Sequence, residues 1–179
     1  MYDRGQGCDP VDQAAIRNLV ALYCRGCDRR DFALVRSLYH DDAVDDHGAM
    51  FCGGPDAFVE WLPKAMEPWE LTIHSLSNSV IVIDGDVAEG EHMVRAWHRT
   101  HPPDRREVIV YGRYLDRYQR RLGEWRFLRR SLVFDHGETR PVDEEALAAL
   151  GRDAVHGTAD RGDPSWALAL IARSGGIAR

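Results

Sequence analysis

Apolar residues in the first third of the chain recur every three to four positions, which is the spacing of one face of a helix. This pattern predicts a first helix that has Asp12 as its N-cap and ends near Arg29. Asp31 can cap a second helix, and Pro55 suits the first position of a third. The predicted apolar faces consist of Ile16, Leu19, Val20, Tyr23 and Cys27, then Phe32, Leu34, Val35 and Leu38, and then Phe58, Val59 and Leu62.

After Trp69 the pattern changes to long extended segments that are separated by turn residues such as Asp84-Gly85-Asp86. The acidic stretch 40–48, which precedes them, is predicted as a solvated turn that leads into the first strand. Strands joined by short turns pair as an antiparallel meander. Four long strands are predicted, at residues 71–83, 87–100, 107–120 and 125–134.

Helices followed by a meander predict an α+β domain, in which a strongly curved antiparallel sheet wraps around the N-terminal helices as a cone-shaped barrel. Such a cone holds a cavity at its open end. We assign residues 1–140 to this barrel domain. Residues 141–179 are predicted as a C-terminal extension, with a short helix near residues 144–150 and a final capped helix in "DPSWALALIAR". We expect the extension to pack over the pocket or onto a neighbouring subunit.

The composition is that of an ordinary globular protein of 179 residues, with 44% hydrophobic and 29% charged residues. No apolar run approaches the roughly 18 residues of a membrane span, so we expect no membrane association. The formal net charge of −6 argues against nucleic acid as a partner, because nucleic-acid binders usually present a basic face. The N-terminus lacks a secretion signal, which predicts a cytoplasmic protein whose partner is a small molecule.

Cys24 and Cys27 have the spacing of a redox or zinc motif. A redox pair normally opens a helix, where the helix dipole lowers the thiol pKa, whereas these two cysteines lie near a predicted helix end. Structural zinc would need two more ligands at suitable spacing, and neither Cys8 nor Cys52 provides a second pair. We therefore expect small buried thiols that line the core or the pocket.

The acidic stretch 40–48 combines four aspartates with His40 and His47. Hard oxygen ligands of this kind suit magnesium or calcium. The stretch lacks the spacing of a known metal-binding loop, so we predict no metal ion in this protein.

Several longer segments together resemble a known family. They are "ALYCRGCDRRDFALVRSLYHDDAVDDHGAMFCG", "HSLSNSVIVIDGDVAEGEHMVRAWH", "YGRYLDRYQRRLGEWRFLRR" and "DRGDPSW". In order and spacing they are similar to the SnoaL-like branch of the nuclear transport factor 2-like superfamily. Within it the greatest likeness is to scytalone dehydratase, the bile acid 7α-dehydratases and hexachlorocyclohexane dehydrochlorinase. The resemblance implies a cone-shaped α+β barrel and a cofactor-free acid/base site in a homo-oligomer, with a trimer favoured and a dimer as the alternative.

The resemblance also implies catalytic residues. In the bile acid dehydratases a tyrosine and an aspartate five residues apart on the first helix act with a histidine on the sheet. Tyr23, Asp28 and His74 match these positions. An arginine in the last strand, shared with the dehydrochlorinase, matches Arg130. Arg130 would either orient an anionic or carbonyl group of the substrate or belong to a basic face.

Other residues are predicted to line the pocket. His92 and His98 share one face of their strand, and either one could match the second histidine of scytalone dehydratase. Asn78 lies four residues after His74, so alternation predicts that it shares the same strand face as a further donor. The apolar wall is predicted from Phe51, Phe58, Trp61, Leu62, Trp97 and Phe127.

Histidine suits a dehydratase because its pKa of about 6.5 lets it take a proton from carbon and return one to a departing hydroxyl. A carboxylate on its other nitrogen fixes the tautomer, and a phenol can polarise a ketone. The resemblance therefore implies a cofactor-independent lyase that removes water from a hydroxylated apolar ring compound, such as a steroid or an aromatic polyketide. An isomerase or cyclase using the same site is one alternative. A non-catalytic partner like the β-subunits of ring-hydroxylating dioxygenases is another.

Overall fold

Four α-helices and one six-stranded sheet make up the α+β fold of residues 9–168, the part of the chain that the computed structural model describes. The first three helices are close to where the sequence predicts them. The helices are α1 (Pro10–Asp28), α2 (Phe32–Ser37), α3 (Pro55–Met66) and α4 (Glu144–Gly151), with a 3₁₀ turn at Pro164–Ala167. The strands are β1 (Tyr39–Asp46), β2 (Cys52–Gly53), β3 (Trp69–Asp84), β4 (Val87–Thr100), β5 (Arg106–Arg121) and β6 (Glu124–Pro141).

Helix α1 begins at Pro10, so the predicted N-cap is wrong by about one turn. Asp9 is the cap, and its side chain accepts a hydrogen bond from a backbone amide of the first turn at 2.9 Å. Pro10 takes the first helical position, where its missing N–H leaves no bond unmade. Asp12 lies inside the first turn, and its carboxylate accepts hydrogen bonds from Arg120 and Trp125.

The apolar stripe of α1 packs into the concave face of the sheet, as its spacing predicts. After α1 the chain turns through Arg30, whose φ of 54° is left-handed, and the Asp31 amide bonds to the Gly26 carbonyl at 2.8 Å. The Asp31 side chain accepts from the Leu34 amide, which confirms the predicted cap of α2. The buried residues of the predicted stripe are Ile16, Leu19, Val20, Tyr23 and Cys27.

The strands follow the order β2-β1-β6-β5-β4-β3 in a sheet that curls around the helices without closing. The predicted meander from β3 to β6 is confirmed, and each of its pairs is antiparallel. The sheet also contains β1, which pairs with β6 in parallel, and the short β2. The β5–β6 hairpin turns at Leu122 and Gly123, whose φ angles of 53° and 83° suit a tight turn between twisted strands. Together these elements form the cone-shaped architecture that the sequence predicts.

The acidic stretch 40–48 is not a solvated turn, because most of it forms β1 beside β6. Its exposed charges have partners, and Asp42 pairs with Arg121 at 2.8 Å. Asp45 faces inward and is fully buried. The turn prediction is wrong because arginines from distant strands supply partners that the local sequence does not show.

A β-bulge interrupts β3 between Leu76 and Ser79. Before the bulge the even-numbered residues face the helices, whereas after it Ser79 and Ile81 face inward. Asn78 is exposed and does not share the face of His74. The same-face prediction for Asn78 is wrong because one extra residue reverses the alternation of the strand.

The C-terminal segment returns to α1. Asp163 caps the 3₁₀ turn and pairs with Arg29 at 3.3 Å. Arg25 donates to the Ser165 hydroxyl at 3.1 Å, and its guanidinium lies 5.3 Å from the ring centroid of Trp166. Helix α4 matches the predicted short helix, while the predicted final helix begins as the 3₁₀ turn and otherwise lies outside the described residues. None of the helices within residues 9–168 is long and apolar enough to cross a membrane.

Candidate active site

The end of α1 and the first half of β3 bring Asp28 and His74 together. His74 Nδ1 lies 2.7 Å from Asp28 Oδ1, and the His74 backbone amide donates to Asp28 Oδ2 at 2.9 Å. A carboxylate at Nδ1 fixes the tautomer in which Nε2 is the basic nitrogen. Within residues 9–168, Nε2 of His74 has no hydrogen-bond partner. The pair therefore presents an oriented base.

Asp28 is held by a further donor that the sequence reasoning missed. Thr72 is fully buried, and its hydroxyl donates to Asp28 Oδ1 at 2.8 Å. Arg30 in turn donates to the Thr72 hydroxyl at 3.4 Å and to the Trp69 carbonyl at 3.1 Å. Alternation could have found Thr72, because it lies two residues before His74 and so shares its strand face.

His98 lies beside this pair. Its ring centroid is 5.7 Å from that of His74 and 4.8 Å from that of Trp69. Burial, together with the neighbouring His74, lowers the pKa of His98 to about 4, so its imidazole is neutral at neutral pH. Its Nδ1 is buried and lacks a partner among the described residues. His98 is therefore a neutral polar group next to the predicted base.

An open recess of about 350 Å³ adjoins the pair. Its walls combine charged groups with apolar ones, and it is open to solvent. Of the three predicted catalytic residues, Asp28 and His74 line the recess and Tyr23 does not. The full lining consists of Ala21, Cys24, Arg25, Asp28, Arg29, His74 and Leu76.

Tyr23 lies deeper, in an aromatic cluster between α1 and the sheet. Its ring stacks on Phe58 with centroids 6.4 Å apart and meets Tyr39, Tyr114 and Phe127 edge-on. Burial raises the pKa of the Tyr23 phenol well above its ordinary value, so the hydroxyl stays protonated. The structure thus brings two of the predicted catalytic residues to the recess and puts the third in the interior.

Arg130 is fully buried beneath the same rings. Its Nε and Nη2 donate to the two carboxylate oxygens of Asp116 at 2.8 and 2.6 Å. The guanidinium carbon lies 4.1 Å from the ring centroids of Tyr23, Tyr114 and Phe127, which are cation–π distances. The alternative that Arg130 belongs to a basic face of the protein is therefore wrong, because its guanidinium is buried and paired with Asp116.

His92 belongs to this buried network and not to the recess. Its Nε2 lies 2.8 Å from the Tyr118 hydroxyl, which donates to Asp116 at 2.7 Å. Its Nδ1 lies 2.9 Å from the Ser79 hydroxyl, and burial lowers the pKa of its imidazole. His92 and His98 share the inward face of β4 as predicted, but only His98 is next to His74.

A second Asp–His pair, which the sequence reasoning missed, lies on the β1 side of the aromatic cluster. Asp45 Oδ1 is 2.5 Å from His47 Nδ1, and Asp45 Oδ2 accepts from the Tyr39 hydroxyl at 2.5 Å. The His47 ring stacks on Phe58 with centroids 5.5 Å apart. Nothing in the charge pattern separates this buried aspartate from its solvated neighbours.

The predicted apolar lining residues lie away from the recess. Trp97 is on the outer face of β4, because it is the register partner of Ile73, whereas His74 pairs with Ala96 on the inward face. The prediction that Trp97 lines the pocket is therefore wrong. The others pack in or against the hydrophobic core: Phe51, Phe58, Trp61, Leu62 and Phe127.

Cys24 and Cys27 are buried free thiols at the end of α1, as expected. Burial raises the pKa of Cys24 to about 12 and that of Cys27 well above its ordinary value. Cys24 lines the recess and Cys27 packs in the core. Across residues 9–168 no group of three or more His, Cys, Asp or Glu side chains is placed to hold a metal ion.

More than half of the chain, residues 11–131, matches the family model of the SnoaL-like domain. The chain belongs to this family. An uncharacterized protein of Mycobacterium tuberculosis is similar to this SnoaL-like chain, with 27% identity over 124 residues, which are 66% of this chain and 82% of that protein.

Solved structures share the fold of this SnoaL-like chain. A Novosphingobium aromaticivorans protein that is provisionally named a scytalone dehydratase is 26% identical, with a TM-score of 0.65, covering 72% of this chain and 87% of that one. A hexachlorocyclohexane dehydrochlorinase from Novosphingobium barchaimii is 20% identical, with a TM-score of 0.64, covering 75% of this chain and 92% of that one. These findings confirm the predicted family and its cone-shaped fold.

Proposed function

We propose that this SnoaL-like protein is a cofactor-independent lyase that removes water from a hydroxylated, largely apolar ring compound. The observation that carries the proposal is the 2.7 Å contact between His74 Nδ1 and Asp28 Oδ1 at the wall of the recess. The provisional name of the similar Novosphingobium aromaticivorans protein, a dehydratase, agrees with this reaction class.

In the proposed reaction Nε2 of His74 takes a proton from a carbon next to the leaving hydroxyl. The C–H electrons form a carbon–carbon double bond while the C–O bond breaks. The protonated Nε2 then gives its proton to the departing hydroxyl, which leaves as water. Asp28 accepts from Nδ1 throughout and stabilises the imidazolium that forms between the two steps.

Tyr23 and Arg130 have a conditional part in this proposal. Both lie in the aromatic interior, so they would contact a substrate only where it extends from the recess past α1. His98, whose ring centroid is 5.7 Å from that of His74, is a nearer candidate for holding a substrate carbonyl, although it is not one of the residues that line the recess. The apolar wall of Ala21, Cys24 and Leu76 suits a ring face, so we propose steroids and aromatic polyketides as the classes to test.

Two other readings have specific support. The same base could return its proton to a different carbon, which would make the protein an isomerase. The dense aromatic packing around Tyr23 would also suit a non-catalytic partner like a dioxygenase β-subunit. Such a partner would not need the oriented Asp28–His74 pair, and for that reason we favour the lyase.

We also propose a homo-oligomer, with a trimer favoured over a dimer. The outer face of β3 carries Val80 and Val82, which are 53% and 52% exposed in the isolated chain. Apolar side chains next to each other on a surface are typical of places where another chain packs.

The test is a mass-spectrometric screen of the full chain against hydroxysteroids and hydroxylated aromatic compounds. We expect the loss of one water from a substrate, and we expect His74→Ala to lower this turnover by about 10²–10⁴-fold, because a positioned acid/base contributes that much. His136→Ala is the matched control, since His136 is an exposed histidine that stacks on Tyr111.

A product of unchanged mass that gains deuterium in heavy water would replace the lyase with an isomerase. Retention of more than about a tenth of the activity in the folded His74→Ala protein would contradict the role of His74, given the size of acid/base contributions. If the protein turned over none of these compounds and bound a larger subunit, the non-catalytic partner would be favoured.

A further inference from the structure

Of the two arginines that line the recess beside His74, one has no carboxylate partner among residues 9–168. Arg25 and Arg29 both line it. Arg29 is paired with Asp163 at 3.3 Å. Arg25 has no carboxylate within salt-bridge distance among residues 9–168, and its only side-chain acceptor there is the Ser165 hydroxyl at 3.1 Å.

The guanidinium of Arg25 is positioned by contacts that leave one of its two terminal nitrogens without a hydrogen bond to the described residues. Nη1 donates to Ser165, and the group lies 5.3 Å from the ring centroid of Trp166. Nη2 is buried and has no acceptor among the described residues. Buried charged donors usually have a partner, so this nitrogen is suited to an incoming acceptor. Asp28 is not that acceptor in this structure, because Arg25 Nη2 makes no hydrogen bond to it.

We propose, on the basis of the function proposed above, that the substrate is an anion whose carboxylate binds Arg25. Its ring would lie against Ala21, Cys24 and Leu76, and its reacting carbon would face Nε2 of His74. Guanidinium and carboxylate form short, charge-assisted hydrogen bonds that a neutral ester or ketone cannot match. Arg25 would be a substrate-binding residue that selects ring acids over their neutral analogues.

The spacing on α1 limits where the acid group can be on the substrate. Arg25 and Asp28 are three residues apart, so their Cβ atoms are about 5–6 Å apart on one helix face. The proposed substrate accordingly carries its carboxylate on the same ring as the reacting carbon or on an adjacent one. A hydroxylated ring acid of this shape is the proposed substrate class.

The test measures binding and needs no turnover. Equilibrium dialysis compares naphthalene-2-carboxylate with its uncharged methyl ester on the full chain. We expect the acid to bind at least about tenfold more tightly, as one charge-assisted contact provides, with a preference that shrinks as salt is added. Arg25→Gln should abolish the preference. Arg17→Gln should keep it, because Arg17 is an exposed arginine about two turns earlier on α1 and does not line the recess.

Equal binding of acid and ester by the wild-type protein would overturn the proposal, as would an absence of binding or an unchanged preference in Arg25→Gln. If the glutamine variant does not fold, Arg25→Lys tests the same point, because it keeps the charge and should keep part of the preference. The two proposals are tested separately, because His74→Ala measures the effect on turnover and Arg25→Gln measures the effect on the acid preference. A failed lyase screen with an intact acid preference removes only the proposed function, whereas His74-dependent turnover without that preference removes only the present inference.

Discussion

At the scale of single residues, the surroundings of the ring nitrogens distinguish the three inward-facing histidines of β3 and β4. His74 has a carboxylate on one nitrogen and lines the recess. His92 lies between two hydroxyls, and His98 has a buried Nδ1 without a partner in the described part of the chain. Alternation places all three on the inward face, and the structure adds that His74 is the one hydrogen-bonded to a carboxylate.

His98 should make folding stability sensitive to acid. Its pKa is about 4 in the folded protein and about 6.5 when unfolded, so the unfolded chain binds more protons between these values and stability falls as the pH drops through them. Between about pH 7 and about pH 5 this group should cost at most about 2 kcal/mol of unfolding free energy. Urea unfolding at both pH values should show a smaller drop for His98→Phe than for the wild type.

The exposed His136 supplies the control, because His136→Phe removes a histidine that is not buried. An equal acid-induced drop in wild type and His98→Phe would show that His98 is not kept neutral by its surroundings.

At the scale of elements, patterns within a few neighbouring residues predicted the helices and the hairpin turns, because these depend mainly on residues close in the sequence. The spacing of apolar residues found α1, α2 and α3, and the turn residues found the β3–β6 meander. These patterns did not find β1, in which Asp42 and Asp46 pair with arginines of β5 and β6, or the bulge that displaces Asn78. Both depend on partners that are distant in the sequence, so no window of a few residues contains the information.

The junction between α1 and β3 should depend on the Thr72 hydroxyl. Thr72→Val keeps the side-chain shape but leaves the buried Asp28 carboxylate and Arg30 one partner short, which should destabilise the fold by about 1–3 kcal/mol. Thr72→Ser keeps the hydroxyl and should lose less. Denaturant unfolding of the two variants measures the difference, and equal stabilities would show that the hydroxyl does not hold Asp28.

At the scale of the whole molecule, the resemblance to SnoaL-like proteins predicted the cone and the Asp28–His74 pair more fully than any pattern of apolar residues. It did not predict the recess wall, since Arg25 and Arg29 depend on how residues 163–166 return to α1. Residues 163–166 thus contact the end of α1 beside the candidate site.

We propose that the returning segment closes the recess. Deleting everything after Asp160 removes the partners of Arg25 and Arg29 that come from residues 163–166, so binding of naphthalene-2-carboxylate should weaken several-fold as the recess opens to water. The barrel should stay folded, because its last strand ends at Pro141. Equilibrium dialysis measures the binding, and circular dichroism shows whether the barrel stays folded.

Trp166→Ala tests the same contact without shortening the chain. If the truncated protein binds the acid as tightly as the full chain and has the same oligomeric state, the segment is an appendage that does not cover the site.

The bulge in β3 has a consequence for how this chain can change over generations. Because the bulge accommodates one extra residue opposite Met93, a deletion of a single codon between Leu76 and Ser79 would leave a regular ladder in which Ser79 and Ile81 still face inward and Val80 and Val82 still face outward. The half of the strand that carries Thr72 and His74 would keep its orientation. The extra residue can therefore be lost without exchanging the buried and exposed faces of either half of β3.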